Sequence, residues 1–126
     1  MPLAYHIDTT RRIVTITGDY AESGEWRTLL GAVARDPGFG RGFSFIRDLR
    51  ASANPVDAAA VVGIMTVVRE FWAKLGVRRA AIVTRPGIDS PAMVAHALAE
   101  DAQLPVRAFS SYDDAMTWLR EDSADR

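Results

Sequence analysis

Cysteine is absent from this sequence, lysine occurs once (Lys74), and neither sign of charge dominates. The lack of cysteine excludes disulfides, thiol nucleophiles and thiolate metal sites, and it suits a reducing compartment. Basic residues number 15 against 16 acidic ones, for a formal net charge of −1, and the arginines are scattered apart from Arg11-Arg12 and Arg78-Arg79. That balance gives no electrostatic case for nucleic acid as a partner. Long apolar runs are also missing. The longest uncharged stretch, Ala58 to Val68, falls well short of the roughly 20 residues that span a bilayer, so no stable membrane insertion is expected. The opening "MPLAYHIDTTRR" lacks a basic-then-apolar signal pattern, and a cytoplasmic protein is the expectation.

The 126 residues are 48% hydrophobic and 25% charged, which places the chain among folded domains with a core and not among disordered ones. Residues 1–120 read as a single domain, and 121–126 as a frayed tail. "LAYHID" and "RIVTITG" are two short strand-like runs around Thr9, Thr10 and Arg11, the pattern of a hairpin. Trp26, Leu29, Leu30, Val33 and Ala34 recur at helical spacing until Asp36-Pro37-Gly38 stops them. "GFSFIRDL" is a third strand. A long helix follows from Pro55 to Leu75, with Gly76 in the position that favours a left-handed end residue. "RAAIVT" reads as a strand buried on both faces, Ser90-Pro91 opens a helix to about Ala102, "PVRAF" is a fifth strand and "SYDDAMTWLRE" a last amphipathic helix.

The predicted fold class is therefore α/β, in the order β-β-α-β-α-β-α-β-α. The sheet is five-stranded and mostly parallel, its first strand antiparallel to the second, with helices packed on both faces.

In such sheets ligands usually sit beyond the carboxyl ends of the parallel strands. Three loops fall there: 48–54, 84–89 and 110–111. Asn54, Ser90 and Ser111 read first as helix caps. The junction "FIRDLRASANP" is more informative. Alternation turns Arg47 and Leu49 to one face and Asp48 to the other, where Asp48 can pair with Arg50 or Arg85 or accept backbone N–H groups. The functional alternative is an anion site built from Arg50, Arg85 and the start of the long helix. Asp48, Arg50, Ser52 and Arg85 are thus the binding or switch candidates.

Complete catalytic sets are missing. Asp48 and Thr84 end strands as in a phosphorelay receiver, but the acidic pair and the lysine that such a domain needs are absent. "GFGRG" at 38–42 precedes a strand, whereas a dinucleotide loop follows one. His6 and His96 have no metal-ligand spacing around them, and there is no nucleophile elbow. No catalytic residue, metal or cofactor is assigned.

Within the long helix, Val61, Ile64, Met65, Val68, Phe71 and Leu75 form a core stripe. Ala59, Gly63 and Val67 form a second stripe of smaller residues. Close approach of another element would explain a mid-helix glycine: either the first helix, a loop, or a second copy of the chain or other protein partner.

The hairpin running into "TGDY", the segment "RDPGFGRGFSFIRDLR", "RRAAIVT" and "VRAFSSYDDAMTWL" together resemble the SpoIIAA-like group of STAS-related proteins, also labelled STAS/SEC14. The resemblance covers residues 3–120; its markers are Asp36-Pro37, Asp48-Leu49-Arg50, Phe109 and the run from Ala115 to Trp118-Leu119. It implies a STAS-like fold and a non-catalytic regulatory or protein-interaction role. In the antagonist members of that group a serine in an Asp-Ser-Ser-Gly-like turn is phosphorylated by a partner kinase. Here the turn is "DLRASANP", which keeps Ser52 but neither the paired serine nor the glycine. The SEC14 label implies lipid binding, although a domain of this size has little room to enclose a lipid. The alternative function is a binding module for a small anionic or lipid-like ligand, held by the strand-end loops and the long helix.

Overall fold

A computed structural model of the chain describes residues 3–18, 23–51, 58–84, 97–101 and 103–121. Its elements are β1 (Ala4–Asp8), β2 (Ile13–Thr17), α1 (Ser23–Arg35), β3 (Ser44–Asp48), α2 (Ala58–Leu75), β4 (Ala80–Val83), α3 (helical residues 97–101), β5 (Val106–Phe109) and α4 (Tyr112–Leu119). The order read from the sequence is the order observed. Asn54, Pro55, Ser90 and His96 lie outside the described residues.

One five-stranded sheet runs β1-β2-β3-β4-β5. The β1–β2 pair is antiparallel, with Asp8 opposite Ile13, and every later pair is parallel. The hairpin turns because Arg12 takes a left-handed φ of 61° and its N–H donates to the Asp8 carbonyl at 2.8 Å. The Asp8 carboxylate also accepts from the Arg11 N–H at 3.0 Å.

Three successive crossovers step in one direction along the sheet. Crossovers of one hand that step one way stack their helices on one face. Accordingly Val14, Ile16 and Phe45 pack with α1 and α2, while Ile82 and Val106 pack with α2 and α3. Residues of opposite parity, Ile13, Ile46, Ala81 and Val83, pack with α4 on the other face. Helices thus cover both faces as expected, but three lie on one and one on the other. The strand order never reverses, so the parallel part of the sheet offers no switch-point crevice of the kind that places ligands in doubly wound folds.

The ends of the helices are fixed by local caps and by arginines from distant segments. Ser111 Oγ accepts from the Asp114 N–H at 3.2 Å, the cap expected for α4. At the other end of α4, Arg78 Nη1 donates to the Leu119 carbonyl and Arg79 Nη1 to the Trp118 carbonyl, both at 2.6 Å, placing positive charge at the negative end of the helix. Gly76 closes α2 with φ 64° and donates to the Trp72 carbonyl at 3.0 Å. A Cβ there would stand 2.9 Å from Arg41 Cζ, whose Nη1 caps the Ala73 and Lys74 carbonyls at 3.3 Å. Gly76→Ala therefore combines left-handed strain with displacement of a capping arginine. It lowers the unfolding free energy by about 1–2 kcal/mol. An unchanged urea midpoint would refute this.

Candidate functional site

At the carboxyl end of β3, Asp48 and Arg50 form a forked pair on the α4 side of the sheet. Arg50 Nε donates to Asp48 Oδ1 at 3.0 Å, Arg50 Nη2 to Oδ2 at 2.8 Å, and the Arg50 backbone N–H to Oδ1 at 3.1 Å. The guanidinium also lies over the Tyr112 ring, 4.5 Å from its centroid, and so ties the strand end to α4. The hydrogen bond from the Arg50 side chain holds the Asp48 carboxyl below the usual carboxylate range; partial burial opposes this, and the Arg50 N–H and the Arg47 charge reinforce it. Of the partners weighed for Asp48, the Arg50 side chain and a backbone N–H of the following turn, that of Arg50 itself, are both observed. Ser52 and Arg85 lie outside the described residues.

This pair has a pH signature. The folded carboxyl titrates below its unfolded value of about 3.9, so the pair's stabilisation is complete above that value and is lost as pH falls through the folded one. Asp48→Asn costs about 0.5–1 kcal/mol at pH 7, since the arginine is half exposed to solvent. The difference from wild type shrinks below about pH 4. Urea unfolding at pH 7 and pH 3 measures it, and an undiminished difference at pH 3 would refute the assignment.

Gly63 and Val67 of the second stripe on α2 face α1. Val67 is 2% exposed within the cluster shared by the two helices, and a Cβ on Gly63 would lie 3.8 Å from Ser23 Cβ. Ala59 belongs to the same helix. The close approach that Gly63 permits is therefore made inside the chain. With one side of α2 on the sheet and another on α1, only Val62 stands out as a large exposed hydrophobic residue among those described.

Between α2 and the sheet lies a cavity of about 110 Å³. From α2 it is lined by Ile64, Met65, Val68 and Trp72, and from the strands by Phe45, Ala80, Ile82 and Val106. Among the described residues that line it, Arg47, Trp26 and Trp72 carry polar side-chain nitrogens. Among the described residues that line it there is no carboxylate, hydroxyl or imidazole. Its volume is too small for a lipid acyl chain, in keeping with the expectation from chain length. It does reach the scale at which engineered apolar cavities, about 150 Å³, take up benzene.

Arg47 and Trp26 meet at this cavity from different elements. Arg47 shares the parity of Phe45, so β3 presents it to the face covered by α1 and α2, as alternation required. Its guanidinium lies 5.2 Å from the Trp26 ring centroid, and Nη1 donates to the Ile16 carbonyl at 3.4 Å. Trp26 is 5% exposed, and its indole N–H is buried with no hydrogen-bond acceptor among the described residues. Sequence reasoning placed Trp26 on the apolar face of its helix and Arg47 on the strand face opposite Asp48, but did not join them. The available signal was an arginine at a position whose strand neighbours of the same parity, Phe45 and Leu49, are both core residues.

Among the described residues no group of three histidine or acidic side chains is placed to hold a metal ion, and no helix is long and apolar enough to cross a membrane. Compared with family models, curated proteins and solved structures, the chain matches none.

Proposed function

We propose that this chain is a small-ligand-binding domain whose site is the cavity beneath α2, and that it serves a regulatory role of the STAS-like kind without catalysing a reaction. The observation that carries the reading is the cavity itself: a largely apolar space between a helix and a sheet, with a few polar groups converging on it. Among the described residues its wall is mostly hydrophobic surface, which supports binding of a ligand. The sequence resemblance to SpoIIAA-like proteins supports the regulatory half of the reading. A ligand seated against α2 would bias the position of that helix, and hence of the surface a protein partner would meet.

Mass spectrometry of the protein isolated from its own cells tests the proposal. A non-covalent adduct present under native conditions and lost on denaturation is the expected result. A bare chain that benzene-sized compounds also fail to stabilise against heat would overturn it. A phosphate mapped to Ser52 on the denatured chain would instead favour a phosphorylation switch at the strand-end turn.

A further inference from the structure

We infer that the cavity takes a compact, neutral, single-ring carbonyl compound, a cyclic or aryl ketone in kind, whose oxygen accepts from the Trp26 indole N–H. This rests on the ligand-binding reading of the cavity and adds the ligand's chemical class.

The donor comes first. Trp26 stands in the wall of the cavity, is 5% exposed, and buries its indole N–H with no acceptor among the described residues. A buried donor is costly to leave unmade, and such a group in a native fold calls for a partner. A ligand that brings an acceptor therefore gains more here than one of the same shape without it. The nitrogen is itself covered, so the acceptor meets it after a small turn of the indole, for which the adjoining cavity gives room.

The charge of the ligand follows from Arg47. Its guanidinium lies over the Trp26 ring, donates to the Ile16 carbonyl and takes part in a further interaction, so it is already engaged. An ionised ligand would have to be desolvated against a mostly aliphatic and aromatic wall whose cation is committed elsewhere, which is unfavourable. An alcohol or a primary amide would accept from Trp26 but would bring a donor of its own, and the described side chains of the wall offer no oxygen to take it. A ketone only accepts. A volume of about 110 Å³ suits one ring with its carbonyl, not a long chain.

Titration of the full chain with cyclohexanone and with methylenecyclohexane, the same shape with a methylene group in place of the oxygen, decides the matter. Calorimetry gives the affinities, and the three tryptophan indole N–H signals in nitrogen–proton spectra report the contact. Trp26→Phe identifies the Trp26 signal. A carbonyl buried without a donor loses its hydrogen bonds to water, so a site lacking one prefers the hydrocarbon by about tenfold or more. Wild type is expected to bind the ketone at least as tightly as the hydrocarbon, and the ketone to move the Trp26 indole resonance downfield. Trp26→Phe is expected to turn this into a preference of about tenfold for the hydrocarbon. Tighter binding of the hydrocarbon by wild type overturns the inference and leaves the cavity as an apolar site. So does a Trp26 resonance that the ketone leaves in place, or an unchanged affinity ratio in Trp26→Phe. Failure of both compounds to bind overturns both the inference and the function proposed above. The wild-type affinity comparison stands even if the variant fails to fold.

Discussion

Ala80→Ile raises the unfolding free energy by about 1–2 kcal/mol and weakens binding of a benzene-sized ligand roughly a hundredfold. Ala80 lines the cavity from β4, where it packs against both hydrophobic clusters of the α2 face. Isoleucine adds three carbons at a gain of about 0.8 kcal/mol each, offset by about 0.5–1 kcal/mol of lost rotamer freedom. It is also β-branched, which suits a strand. The added carbons occupy much of the about 110 Å³ that a ligand would need. Urea unfolding and benzene titration of the same preparation give both numbers. Lowered stability with unchanged binding would mean that position 80 is already filled by its neighbours, and the cavity would lose its standing as a site.

Ile46→Ala acts on the opposite face and has the larger effect on stability. Ile46 is 0% exposed in the strand between β2 and β4, and it packs with Ile13, Val83, Met116 and Leu119. Two other members of that cluster, Ala81 and Ala115, are also fully buried, so small neighbours surround the space the isoleucine fills. Truncation there costs about 3–5 kcal/mol, because little can move in to close the gap. Against a usual total of about 5–15 kcal/mol this is a large fraction, and the urea midpoint falls by about 2 M. Ligand affinity in the folded protein should stay at the wild-type value, since the cavity lies across the sheet. A loss below about 1 kcal/mol would show that α4 repacks onto the smaller side chain.

The two substitutions separate the faces of the sheet. One raises stability and removes binding; the other lowers stability and spares binding. A ligand seated at the strand ends, near Asp48 and Arg50, would respond to neither pattern. It would respond instead to Asp48→Asn, which also releases the hold of Arg50 on its neighbour.

Much of the fold is legible along the chain. The order of strands and helices follows from residue spacing. The Gly76 end and the Ser111 cap follow from which residues can take a left-handed φ or offer an oxygen to a free N–H. The strand-end pair was half legible: alternation put Asp48 opposite Arg47, but choosing Arg50 as its partner required the turn geometry. The candidate site was the least legible. Trp26 and Arg47 lie on different elements, and nothing along the chain brings the two together.

By itself, then, the sequence determined the α/β class, the antiparallel opening of the sheet, the Gly76 end, the Ser111 cap and the parity that sets Arg47 opposite Asp48. These depend on interactions between residues a few positions apart, or on a period that repeats within one element. Tertiary structure alone decided that three helices share one face, that α1 occupies the small-residue stripe of α2, and that a cavity remains beneath α2 with Arg47 stacked on Trp26 at its wall. Those outcomes depend on how finished elements fit against one another, and a mismatch of a few side-chain volumes between a helix and a sheet has no counterpart in any local pattern.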